Sequence, residues 1–66
     1  MKEFISLKEI RRVLIGRCLN SGIIKVFYKD GECFEYSFDT INKANSTYIK
    51  IKNALINKQD FVEVEL

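Results

Sequence analysis

The sequence predicts an α+β fold in a single domain, residues 1–66. Its architecture is a small antiparallel β-sheet, a β-meander of about three to four strands including a C-terminal strand, packed on one α-helix. Three observations carry that prediction. Two runs of apolar–polar alternation flank Asp30-Gly31, apolar residues at helical spacing fill 41–58, and alternation returns over 61–66.

The central hairpin is the clearest element. Ile24, Val26 and Tyr28 alternate with Lys25, Phe27 and Lys29, and Phe34, Tyr36 and Phe38 alternate with Cys33, Glu35 and Ser37. A two-residue turn at Asp30-Gly31 would pair Tyr28 with Cys33 and set one strand's apolar side chains against the other's polar ones. A three-residue loop, Lys29-Asp30-Gly31 with Gly31 left-handed, pairs Tyr28 with Glu32, Val26 with Phe34 and Ile24 with Tyr36. The apolar sets then share a face, so the longer loop with its bulge is expected.

Residues 41–58 read as a helix. Ile41, Ala44, Tyr48, Ile51 and Leu55 lie on one face, Asp39 or Thr40 serves as N-cap, and Lys43, Lys50 and Asn57 lie opposite. Ile49 and Ile56, seven apart, form a second, narrower strip, either the shoulder of the core face or a contact with another subunit. In 61–66, Val62, Val64 and Leu66 point one way and Glu63 and Glu65 the other, as in a last strand with a solvated face.

The N-terminal third admits two readings. Ser6-Leu7-Lys8-Glu9 matches a capping box, with Ile5 and Ile10 as a hydrophobic staple, which would start a helix over Leu7–Leu19. Against it, Val13 and Ile15 are β-branched, Gly16 would cost a helix about 1 kcal/mol relative to alanine, and Asn20-Ser21-Gly22 is a turn signal before the next strand. The preferred reading is one helical turn near Leu7–Ile10 and then a strand over Arg12–Leu19. A three-residue loop at 20–22 would pair Leu19 with Ile23, Arg17 with Lys25 and Ile15 with Phe27. One sheet face would then carry Leu14, Ile24, Val26, Tyr28, Phe34, Tyr36 and Phe38 beneath the helix. The other would carry Val13, Ile15, Leu19, Ile23, Phe27 and Cys33 among Arg17, Lys25 and Glu35, a mixture apolar enough to need cover from another molecule.

Composition removes whole classes of function. The chain has no histidine, so no His-based acid, base or nucleophilic dyad exists. The carboxylates are scattered, and neither GxGxxG nor GxxxxGK[ST] occurs. No catalytic residue, metal site or cofactor is expected, since Cys18 and Cys33 alone cannot fill a four-ligand zinc site. With no CxxC and no signal peptide, the two cysteines are expected as free thiols acting as small hydrophobes. No apolar run reaches the roughly eighteen residues of a membrane span, so a cytoplasmic chain that does not engage a membrane is expected. A core this small supplies only about 3–5 kcal/mol, which makes a homo-oligomer the expected state.

Formal net charge is +2, unevenly spread. Residues 5–29 carry six basic side chains against Glu9 alone, whereas 60–66 carry Asp60, Glu63 and Glu65. Arg11, Arg12, Arg17, Lys25 and Phe27 form the candidate ligand-binding surface, because a guanidinium both forks an anion and stacks on a ring. Lys25 is expected to pair with Glu35, leaving Arg17 without an acid unless Glu63 or Glu65 reaches it. Such a surface suits an anionic small molecule with a flat apolar part, or the acidic rim of a host protein. Strand aromatics beside basic residues also admit nucleic acid, although +2 is modest for a dedicated binder. A tiny lysine- and isoleucine-rich α+β chain without a catalytic set is similar in style to accessory proteins of bacteriophages and mobile elements. That resemblance implies a small non-enzymatic binding protein, a homo-oligomer that inhibits a host factor or sequesters an anionic small molecule such as a signalling nucleotide. The alternatives are a nucleic-acid-binding regulator and a structural subunit of a larger assembly.

Overall fold

Alternation and turn chemistry produce five strands and one helix in the computed structural model, which describes residues 1–66. They are β1 (Lys2–Ser6), β2 (Ile10–Cys18), β3 (Ser21–Tyr28), β4 (Cys33–Phe38), α1 (Ile41–Ile56) and β5 (Phe61–Glu65). Strands β2, β3 and β4 form an antiparallel meander, and β1 pairs antiparallel with β5 in a separate two-stranded ribbon. Helix α1 packs on one side of the meander, chiefly against β3, and also against β5. Ile5, Ile24, Val26, Ile51 and Val64 are fully enclosed where these elements meet. This is the α+β arrangement expected from the sequence, with the C-terminal strand paired to β1 in its own ribbon and not joined to the meander.

The β3–β4 hairpin follows its alternation. Ile24 lies opposite Tyr36 and Val26 opposite Phe34. The amide of Tyr28 donates to the Glu32 carbonyl at 2.9 Å and that of Gly31 to the Tyr28 carbonyl at 3.0 Å. Gly31 has φ 94°, the left-handed geometry a bulged three-residue loop requires. At the start of α1, Thr40 Oγ1 accepts from the Lys43 amide at 3.2 Å. At its end the Lys58 amide donates to Leu55 and that of Gln59 to Ala54, with Lys58 at φ 57°. This is a Schellman closure made without glycine. Ala44 and Ile51 are buried and Leu55 is half-buried on the expected face, but Ile49 and Ile56 are 58% and 73% exposed. Their strip is not a shoulder of the core.

Two expectations fail in the N-terminal third. The first is the helical turn at Leu7–Ile10. Ser6 instead ends strand β1, and Lys8 and Glu9 make the turn into β2, so the capping box is unused. Pairing with β5 explains why: Ile5 faces Val62 across the ribbon, and the Leu7 amide donates to the Asp60 carbonyl at 2.8 Å. Both Ile5 and Leu7 are thereby buried, which an exposed first turn would not achieve.

The second failure is the β2–β3 register. Residue 12 onward is a strand, as expected, but its connection to β3 is Leu19-Asn20, with Cys18 opposite Ser21, Arg17 opposite Gly22, Ile15 opposite Ile24 and Val13 opposite Val26. The register differs from the expected one by an odd number of residues, so every β2 side chain changes face. Val13 and Ile15, not Leu14, share the helix side. The physical reason is Gly22. A Cβ there would lie 2.3 Å from Ala44 Cβ, so the glycine is needed where α1 approaches β3 and not in the turn. Leu19 takes the left-handed position instead, at φ 56°, at a cost of roughly 1–2 kcal/mol. The Ile41 amide donates to the Asn20 carbonyl at 2.7 Å and pins the helix start to that turn. A bulge at Arg11 lies between the Ile10–Tyr28 and Arg12–Phe27 pairs and brings Ile10 and Val13 to the same side.

Gly22→Ala is expected to lose about 1–3 kcal/mol of unfolding free energy in urea by overpacking. Gly16→Ala, whose added Cβ meets nothing within 4 Å, should not destabilise. Equal stability of Gly22→Ala and the parent chain would show that α1 is not seated on β3. Lys58→Gly relieves a left-handed residue and should gain about 0.5–1 kcal/mol after the entropy of an unfolded glycine is subtracted; a loss in the same titration would remove the Schellman assignment.

Candidate functional site

Because α1 covers one side of the meander, the other side has no second layer. That outer face carries Arg12, Leu14, Ile23, Lys25, Phe27, Cys33 and Glu35 by register. Arg12 and Phe27 are directly opposite, and the guanidinium carbon sits 5.2 Å from the ring centroid. Lys25 Nζ lies 3.5 Å from Glu35 Oε2, the cross-strand pair the sequence predicts. Both side chains are half-exposed, so the pair adds little to stability. Three of the five candidate residues, Arg12, Lys25 and Phe27, are therefore gathered on one face.

The other two candidates sit differently. Arg11 is exposed at the β2 bulge. Arg17 lies opposite Gly22 and not Lys25, and its Nε donates to the Leu19 carbonyl at 3.1 Å. It pairs with neither Glu63 nor Glu65, and Glu65 instead meets the N-terminal amine at 3.2 Å. Arg17 still borders, with Leu14, Ile23 and Lys25, a shallow depression of about 270 Å³. Since β2 is an edge strand, Arg11, Arg12 and Arg17 also oppose strand pairing with another chain. Cys18 and Cys33 are free and exposed, so neither serves as a buried hydrophobe. Cys18 faces Ser21 at one end of β3 and Cys33 faces Phe27 at the other. That places them roughly 20 Å apart along the strand, too far for a bond within the chain.

A second hollow, about 480 Å³, opens on the helix side between β1 and the tip of the β3–β4 hairpin. Its aromatic lining is Phe4, Tyr28, Phe34 and Tyr36. Tyr28, Phe34 and Tyr36 are expected beneath the helix, yet among the aromatics of that face only Phe38 is buried. Tyr28 and Phe34 meet edge to face at 5.7 Å and 84°. The Tyr28 hydroxyl donates to the Ser6 carbonyl at 2.8 Å, tying the ribbon to the meander. Glu3, Glu9, Asp30 and Glu32 border the groove with Lys8 as the one cation. Glu9 is 3.9 Å from Lys29 Nζ. Burial pushes the Tyr28 phenol up, and Asp30 and Glu32 push the same way. Burial also raises Tyr36, with Glu3 next in effect. Sequence reasoning misses this groove because Glu3 and Phe4 come from β1, the strand it does not recognise. The acids beside the aromatic alternation, Asp30 and Glu32, are the one signal that pointed there. The largest hollow, about 570 Å³ at the start of α1, has only Phe38 and Leu66 as apolar lining and gathers no comparable set.

No family model, curated protein or solved structure matches this chain. No helix is long and apolar enough to cross a membrane.

The raised Tyr28 value fixes a pH dependence. The folded state holds the phenolic proton more tightly than the unfolded chain. Its contribution is fully present below about pH 10, the unfolded value, and is lost as pH rises through the higher folded value. Ionisation also removes the donor to Ser6. Melting temperature should fall above about pH 10. Tyr28→Phe should be less stable at neutral pH but decline less steeply; parallel alkaline slopes in circular dichroism melts would disprove the coupling.

Proposed function

We propose that the protein is a small non-enzymatic binding protein whose outer sheet face engages, and thereby inhibits, an acidic surface on a host protein. The observation that carries this reading is the uncovered face of the meander, with Arg12 laid over Phe27. Leu14, Ile23 and Phe27 supply an apolar centre, and Arg12 and Lys25 supply cations beside it, whereas Arg17, opposite Gly22, falls on the helix side by register and only borders the end of the face. An apolar centre with arginine beside aromatic rings is the composition of protein-binding surfaces. The 270 Å³ depression is smaller than the roughly 300–1,000 Å³ of small-molecule pockets, which favours a protein surface over a sequestered nucleotide. A formal net charge of +2 is modest for a nucleic-acid regulator, which favours a protein partner over nucleic acid.

Like charge disfavours joining this face to its own copy. Self-association falls instead to Ile49 and Ile56, exposed and seven apart on α1, where two helices would bury the strips against each other. The reading is thus of a cytoplasmic homo-oligomer with its sheet faces turned outward.

Tagged protein incubated with host lysate should retain a stoichiometric partner that Arg12→Glu and Phe27→Ser each lose, with melting temperatures close to the parent's. Retention by both variants would sink the site assignment. Binding to a DNA or RNA oligonucleotide that falls steeply with log salt would move the face to nucleic acid, and a nucleotide released on denaturation would restore the sequestration reading. In sedimentation velocity, Ile49→Glu with Ile56→Glu should convert an oligomer to monomer; an unchanged coefficient removes the helix contact.

A further inference from the structure

We propose that the groove between β1 and the β3–β4 hairpin binds a small linear organic cation with two or more charges, of the aliphatic polyamine class. The groove is on the helix side of the meander, so this site is separate from the outer face and does not rest on the reading of that face. Its floor and wall are aromatic. Phe4 and Phe34, 68% and 46% exposed, border it together with Tyr28 and Tyr36. A ring face attracts an ammonium group and offers apolar contact to the methylenes between two such groups.

The charge matches that ligand in sign and in distribution. Four carboxylates border the groove against Lys8, with Glu9 also 3.9 Å from Lys29 Nζ. The unpaired acids come from two separate elements, Glu3 from β1 and Asp30 and Glu32 from the tip of the β3–β4 hairpin, so negative charge lines both walls and is not focused at one point. No three of its acids converge to hold a metal ion. A single ammonium would meet one wall only, whereas a flexible dication meets both. The volume, about 480 Å³, lies in the range of small-molecule sites, roughly 300–1,000 Å³.

The test is a titration of the full chain with spermidine, followed by amide NMR. Saturable shifts confined to residues 3–9 and 28–36, with Kd of about 1 mM or tighter, are expected. Phe4→Ala, Phe34→Ala and Glu3→Gln should each weaken binding by roughly two- to fivefold, the size of an exposed cation–ring contact. All three positions are exposed, so the variants should keep the parent's spectral dispersion. Glu35→Gln, on the outer face, should bind as the parent does. Shifts that do not saturate, or that magnesium reproduces at equal ionic strength, would reduce the effect to screening and overturn the proposal. Tighter binding of a trilysine peptide than of spermidine would overturn it in favour of a basic protein segment.

Discussion

Helix α1 can sit where it does only because three small residues allow it. Gly22 on β3 faces Ala44 so closely that no Cβ fits between them, and Ala44 and Ala54 are two of the helix's three buried residues. Close approach brings Ile51 onto the core with Ile24 and Val26 and leaves room on the far side for Val62 and Val64 of β5. Strand β5 then needs a partner for its backbone groups, and β1 is that partner, which joins the two ends of the chain. A larger residue at Gly22 would lift the helix and loosen both layers. The same requirement moves the strained left-handed residue of the β2–β3 turn onto Leu19. One packing constraint thus decides the register of β2, the closure of the ribbon and which sheet face stays bare.

The parts of the fold legible in the sequence are those where local and tertiary demands coincide. Around Asp30-Gly31 the turn chemistry and the alternation on both sides agree, so face arithmetic alone selects the loop length. In α1 the spacing from Ile41 to Leu55 matches the buried stripe. Where demands conflict, local reading misleads. Asn20-Ser21-Gly22 carries turn residues, but the glycine answers to Ala44, a contact twenty-two positions away. Arg11 adds a bulge that no pattern of apolar residues announces, because Ile10 and Val13 look misphased until it is counted. In β1, Phe4 and Ile5 are adjacent apolar residues that face opposite ways, and only pairing with β5 separates them. The arginine surface was legible as a composition, but its membership was not. Arg12, Lys25 and Phe27 were placed together, while Arg17 depended on the one register that the glycine overturned.

The modest net charge conceals two surfaces of opposite sign. Arg12 and Lys25 face outward on one side of the meander, while Glu3, Asp30 and Glu32 border the aromatic groove on the other. Reading residues 5–29 as one basic block averages over that separation. Strand alternation places Arg12 and Lys25 on the outer face, and the hairpin loop and β1 bring the acids to the other side. A molecule divided in this way attracts partners of opposite charge to each face and discourages like faces from meeting. That is a reason for specificity that a total of +2 does not reveal.

Aromatic placement strengthens the case that the groove serves a ligand. The buried core has ten side chains, and Phe38 is its only aromatic. Phe4, Phe34 and Phe61 remain substantially exposed, although full burial of a phenylalanine is worth about 1.5–3 kcal/mol. In a chain with so little core to spare, that is a large stabilisation to leave unused. A single exposed apolar residue is ordinary. Phe4 and Phe34, however, come from different sheets and border one hollow with two tyrosines, and the hollow is held in shape by the Tyr28–Ser6 hydrogen bond. Core packing accounts for Tyr28 and Tyr36, which are half-buried against the core, but not for the exposed rings of Phe4 and Phe34. Solubility does not account for them either, because it opposes exposed rings. The proposed cationic ligand accounts for both exposed rings, and the surrounding carboxylates match its charge.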